Sequence, residues 1–158
     1  MRNIKLNFLL LLLTVLTLSC SKEDNNDVCL ETNVSMVING ELQTFQTTGR
    51  GIDLNQDGGY TLRIWLSRGS SNPSLEQSIL IVLPYQKRGD NVLDNFMYNQ
   101  YSIGTTFNGD FSNGTIESKV ITNSNTCFYA TFSGTFNDGN QEFVITDGKL
   151  SYQYETPF

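Results

Sequence analysis

The chain of 158 residues holds no histidine, so any chemistry it does must fall to other side chains. That removes the Ser-His-Asp triad, the Cys-His pair and every metal site built on an imidazole. Carboxylates, aromatic rings, amides and three cysteines are left. Two carboxylates held close together can divide the work of general acid and general base. Asp90, Asp94 and Asp110 are the candidates, and nothing in their spacing marks out a pair. Acidic side chains are mostly exposed and solvated. A non-catalytic protein is therefore the expectation, with a carboxylate-dependent hydrolase as the alternative.

Asp53, Asn55 and Asp57 alternate ahead of Gly58, the way a calcium loop begins when it wraps a hard cation in oxygen ligands. A full loop of that type places a bidentate acid at its twelfth position, where this chain has Ile64. The residues after Gly59 read as a strand rather than a helix, and a polar hairpin loop accounts for the same side chains. Calcium on Asp53, Asn55 and Asp57 is the single cofactor the sequence suggests.

Phe96, Tyr98, Tyr101, Phe107 and Phe111 lie in a stretch rich in asparagine, with Asp110 among them. Rings cover the apolar faces of sugars while amides and carboxylates take the hydroxyls, so this composition suits a glycan platform. Trp65, on the wetter side of its strand, could join it. The competing account makes these rings core or loop-staple residues.

Arg2 and Lys5 give the chain a basic start, followed by an eleven-residue apolar run over 8–18. The run is too short for the roughly 20 residues of a membrane span and fits a signal peptide. It leads into Leu18, Ser19 and Cys20. Here the sequence resembles a bacterial lipoprotein precursor, cut before a cysteine that is then acylated, with Thr17 standing where leucine is usual. The resemblance implies a signal peptide over 1–19, a lipidated Cys20 and a membrane partner held through the lipid. Two or three acyl chains anchor a protein durably where one does not. An ordinary secretory signal is the alternative, and it would leave Cys20 as an odd thiol in an oxidising compartment.

Residues 20–33 read as an acidic tether, too polar to bury apolar area. Lys22 followed by Glu23 and Asp24 resembles the surface-export signal of Bacteroidota lipoproteins, which implies the outer membrane and a site facing the medium. Removing the first 19 of 158 residues leaves 139, and loss of Arg2 and Lys5 takes the formal charge from -6 to -8. Such a charge repels phosphate backbones, so no nucleic-acid partner is expected. Cys29 and Cys127 lie far beyond any metal-ligand spacing, and a disulfide is the leading reading in an oxidising compartment. Two buried thiols that never meet remain the alternative.

The elements that must position these groups read as strands throughout 34–158. Val34, Met36 and Ile38 share a face, Asn39 and Gly40 give a hairpin signal, and 42–48 returns. Over 60–66 the residues Tyr60, Leu62, Ile64 and Leu66 alternate against Thr61, Arg63 and Trp65. Residues 78–83 are apolar on both faces, as in a central strand. Residues 91–103 are ambiguous. Further strands follow over 115–122, 127–136, 142–146 and 149–154, the last opened by a turn at Asp147 and Gly148. The expected fold is all-β, an antiparallel sandwich or barrel of about eight to nine strands in one domain.

Two motif groups carry a family resemblance: Met36-Val37-Ile38-Asn39-Gly40 followed by Phe45, and Ala130-Thr131-Phe132-Ser133-Gly134-Thr135-Phe136 with Phe143-Val144-Ile145-Thr146-Asp147-Gly148-Lys149-Leu150. They resemble small Bacteroidota outer-membrane lipoproteins of unknown function, which bring no catalytic residues to transfer. The expected role is a lipid-anchored binding or accessory module with a glycan as its ligand class. The alternative is a structural or interaction subunit of an outer-membrane protein complex.

Overall fold

The computed structural model describes residues 29–69, 75–102, 105–110, 115–137 and 142–158. These form strands β1 (Asn33–Ile38), β2 (Glu41–Leu54), β3 (Tyr60–Gly69), β4 (Leu75–Pro84), β5 (Gly89–Asp90), β6 (Asn95–Ser102), β7 (Thr105–Asp110), β8 (Thr115–Asn123), β9 (Cys127–Asn137) and β10 (Glu142–Gln153). Nine are full strands, and β5 is a two-residue strand. All pair antiparallel in one sheet ordered β5-β8-β9-β10-β1-β2-β3-β4-β6-β7. The all-β antiparallel expectation holds, and the architecture is a single sheet curled into a half-barrel.

The curl is made in β2. Residues 41–45 of this fourteen-residue strand pair with β1, and from Gln46 onward it pairs with β3, with a register shift between Thr47 and Gly49. A bulge bends its strand and sharpens the twist, so the sheet folds over and its two halves face each other. The interior is aromatic across that fold. Phe96 of β6 meets Phe132 and Phe136 of β9 at ring-centroid distances of 5.3 and 6.2 Å. Tyr98 meets Phe136 and Phe143 at 5.1 and 5.3 Å.

Period-two alternation fills the rest of the core. Val34, Met36 and Ile38 in β1, Leu62, Ile64 and Leu66 in β3, and Ile79, Ile81 and Leu83 in β4 are all buried, each contributing roughly 1.5–3 kcal/mol of transfer free energy. The ambiguous stretch resolves as β6. Asn39 and Gly40 adopt φ of 51° and 84°, as a two-residue primed turn requires.

The turn expected at Asp147 and Gly148 is instead a bulge within a continuous β10. Asp147 has φ 51°, and the register against β9 shifts between Ile145 and Gly148. Gly148 lies so close to its partner that a Cβ there would come within 2.5 Å of the ring and the carbonyl oxygen of Phe132. Close backbone approach therefore requires this glycine.

One end of the half-barrel is tied shut. Asn123 Nδ2 donates to the carbonyls of Pro84 and Lys87, each at 3.0 Å, and β5 pairs with β8. The C-terminal residues cross the same end. There the Arg50 guanidinium lies over the rings of Tyr154 and Phe158, at 4.1 and 4.0 Å from their centroids, and donates to the Thr156 carbonyl.

Cys29 and Cys127 form a disulfide with a Cα separation of 5.7 Å. The bond fixes the segment before β1 to the start of β9. Ser151 Oγ also donates to the Glu31 carbonyl at 2.6 Å, and the Gln153 N–H donates to Thr32 Oγ1 at 3.1 Å. Cys29, Glu31 and Thr32, in the segment assigned to the tether, are thus tied to the sheet. Residues 1–28, with Cys20, lie outside the described residues.

Candidate functional site

Strand register assembles a row of polar side chains on the outer face of the second half of the sheet. Gln46 of β2 pairs with Ser67 of β3, Ser67 with Ser78 of β4, and Ser78 with Asn99 of β6. Phe45, Leu66, Gln77, Ile79 and Tyr98 beside them are buried, so alternation turns all four outward. A row of bulkier side chains lies on each side. Toward the end of β3 it is Glu76 and Tyr101, next to Gly69, and on the other side it is Trp65, Leu80 and Met97.

The two serines leave a low floor between these rows. A groove of about 360 Å³ forms over Ser67, Ser78 and Asn99 with Glu76 and Tyr101 at its rim. A second, of about 260 Å³, lies where β2 parts from β3, over Thr44 and Gln46. Both are lined by Ser67, Arg68 and Gly69, so they flank the end of β3.

The aromatic candidates divide according to which face they occupy. Trp65 is 39% exposed and Tyr101 51% exposed on this outer face. Phe96 and Tyr98 are at 0% and cannot belong to a surface platform. The physical reason is the alternation of β6, which turns 96 and 98 into the core and 97, 99 and 101 outward. Phe107 lies in β7, paired with Gln100. Phe111 lies outside the described residues.

Tyr98 still serves the site from below. Its hydroxyl accepts from Gln77 Nε2 at 2.7 Å and donates to Gln100 Oε1 at 2.8 Å, while Arg68 Nη1 donates to Gln77 Oε1 at 3.0 Å. Arg68, Gln77 and Gln100 are register partners one residue along from the groove floor, so the network fixes β3, β4 and β6 directly beneath it. Burial pushes the Tyr98 hydroxyl up to about 12, against the opposing pull of the Gln77 hydrogen bond and the Arg68 charge. It remains a neutral donor at physiological pH.

Trp65 has its own support. Its indole lies over Gly49 and Gly51 of β2, and a Cβ on either would sit 3.5 Å from the ring. A large ring laid across neighbouring glycines restores packing that those residues lack.

Asp53, Asn55 and Asp57 stand around the β2–β3 hairpin, and each has a partner within it. Arg63 Nε pairs with Asp53 Oδ2 at 2.8 Å, Thr61 Oγ1 donates to Asn55 Oδ1 at 2.9 Å, and the Gly59 N–H donates to Asp57 Oδ1 at 3.0 Å. Gly58 supplies the positive φ of 85° that the turn needs. Among the described residues no cluster of three or more Asp, Glu, Cys or His is placed to hold a metal ion.

The remaining carboxylates are dispersed. Asp90 stands opposite Lys119 in the strand register of β5 and β8, and the Asp94 N–H donates to the Val82 carbonyl at 2.8 Å. Asp90 lines a groove of about 580 Å³ on the other half of the sheet, with Glu117, Lys119, Thr131, Ser133 and Lys149. The ring lining that groove, Phe132, is buried, so it offers no exposed aromatic surface.

Sequence reasoning singled out Trp65, Tyr101 and the amide-rich stretch that holds Asn99, but not Gln46, Ser67, Glu76 or Ser78. The signal for these was the polar half of each alternating strand, which marks a face without saying which residues meet. Comparison with protein-family models, with curated proteins and with solved structures returned no match.

Proposed function

We propose that the protein is a lipid-anchored, non-catalytic binding module of a Bacteroidota outer membrane, and that it takes a glycan on the outer face of β3, β4 and β6. One observation carries the reading. Tyr101 stands exposed at the rim of a groove floored by hydroxyl and amide groups, and the exposed Trp65 ring lies on the same outer face, over Gly49 and Gly51 of β2. Rings stack on apolar sugar faces, and the floor offers donors and acceptors for hydroxyls.

The position of the groove on the fold agrees with a membrane tether. The β8–β9 turn that precedes Cys127 bonds to Pro84, where β4 finishes, whereas the groove lies at Glu76 and Ser78, where β4 begins. Those ends are separated by roughly 27 Å of extended strand. A chain acylated at Cys20 enters the fold through Cys29, so its groove sits away from the anchored end.

The experiment is an array of bacterial, plant and host glycans probed with the mature domain, followed by calorimetric titration of each hit. Binding that Trp65→Ala and Tyr101→Ala each weaken by about tenfold or more, equal to about 1.4 kcal/mol, supports the reading. An array without hits, or hits indifferent to both substitutions, overturns it. The anchor is tested separately by labelled palmitate, which should enter the wild type and not Cys20→Ser.

A further inference from the structure

We infer that the ligand lies across the strands, as an extended neutral oligosaccharide running from Asn99 over Ser78 and Ser67 to Gln46. This rests on the glycan reading and adds to it a path, a charge class and a second subsite.

The path follows from side-chain size. Along the strands the groove is lined by Glu76 and Tyr101 on one side, and the next outward residues on the other are Trp65, Leu80 and Met97. Across the strands the floor residues of β3 and β4 are serines, and the two depressions flank β3 at Ser67 and Gly69. From Asn99 to Gln46 the row crosses three strand spacings, roughly 14 Å, which accommodates a chain of sugar rings rather than one.

The charge class follows from the lining. Gln46, Ser67, Ser78 and Asn99 carry no charge, and the ionic groups beside them, Glu76 and Arg68, are of opposite sign. Arg68 already gives Nη1 to Gln77. A formal charge of -6 on the whole chain disfavours a polyanion. An uncharged ligand with many hydroxyls complements this surface.

Gln46 is the subsite that tells a transverse chain from a single bound sugar. It lies in the second depression, beyond Ser67, so only a ligand long enough to pass over the end of β3 reaches it. The test is calorimetric titration with neutral gluco-, xylo- and manno-oligosaccharides from monosaccharide to hexasaccharide, and with oligogalacturonates as the acidic counterpart. Affinity should rise by about tenfold or more from the monosaccharide to the longer members, about 1.4 kcal/mol, and then level off. Gln46→Ala should weaken the long ligands several-fold and leave the disaccharide unchanged. Ser78→Leu, an exposed change checked by its melting temperature, should block all lengths by filling the floor.

A monosaccharide bound as tightly as the hexasaccharide, or Gln46→Ala acting equally on all lengths, overturns the transverse path while the glycan reading stands. Preference for the oligogalacturonates overturns the charge class. If no saccharide of either kind binds, the glycan reading fails and this inference fails with it.

Discussion

The indole of Trp65 packs over Gly51 so closely that a methyl group on the glycine would touch its ring carbons at 3.5 Å. That distance is ordinary van der Waals contact, so the site tolerates one added carbon and no more. Trp65 is the single tryptophan of the chain, and its fluorescence reports on this face alone. Gly51→Ala should leave stability within about 0.5 kcal/mol of wild type and the emission maximum in place. Gly51→Leu should displace the ring, shift the emission and weaken saccharide binding. Paired emission spectra and urea melts check both.

Gly148 gives the opposite outcome for the same substitution. A Cβ there would lie 2.5 Å from the Phe132 ring and from the Phe132 carbonyl oxygen, and the backbone atom cannot swing aside. Gly148→Ala should destabilise the fold by about 1–3 kcal/mol or more, as overpacking in a tight core does. Chemical denaturation of Gly51→Ala and Gly148→Ala side by side tests the contrast.

The Cys29–Cys127 bond closes a loop with a sequence separation of 98. In the chain-entropy treatment, losing a loop of that size removes roughly 4–5 kcal/mol. The double variant Cys29→Ser with Cys127→Ser should therefore show a much lower denaturation midpoint. Wild type treated with a reductant should move toward the same value, whereas the variant should be indifferent to it.

Alkali should destabilise the protein through Tyr98. Its pKa stands at about 12 in the folded state against 10.0 for the free side chain. The folded form thus holds its proton where the unfolded form has lost it. The contribution is complete below pH 10 and declines as pH rises from about 10 to about 12. Tyr98→Phe should flatten that slope. At neutral pH it should also remove about 0.5–1.5 kcal/mol by deleting the hydroxyl's hydrogen bonds, while Gln77 Nε2 keeps its bond to Gln100 Oε1 at 3.2 Å. Denaturation midpoints at stepped pH separate the two effects.

Local patterns made much of the fold legible in advance. Alternation placed Leu62, Ile64 and Leu66 in the core, and Asn39 with Gly40 marked a hairpin because few residues accept positive φ. The same chemistry misled at Asp147 and Gly148, since a bulge and a turn use the same residues and only pairing with Phe132 distinguishes them. β2 runs past the expected 42–48 to Leu54, through Gly49 and Gly51, and the ring that covers those glycines is on the neighbouring strand.

The candidate site was half legible for a related reason. A ring is visible in a sequence, but the face it takes depends on register. Phe96, Tyr98 and Tyr101 looked alike until β6 turned two of them inward. The groove floor was hidden altogether, because Gln46, Ser67, Ser78 and Asn99 meet only through the register of four strands.

The central claim is that Trp65 and Tyr101 hold a saccharide over that floor, and the most direct measurement of it is the emission of the single tryptophan during titration with a glycan identified on the array. Binding should shift the Trp65 emission saturably, and Tyr101→Ala should raise the half-saturation concentration by about tenfold or more, about 1.4 kcal/mol. An emission that no saccharide changes, or a titration curve that Tyr101→Ala leaves where it was, would contradict the account.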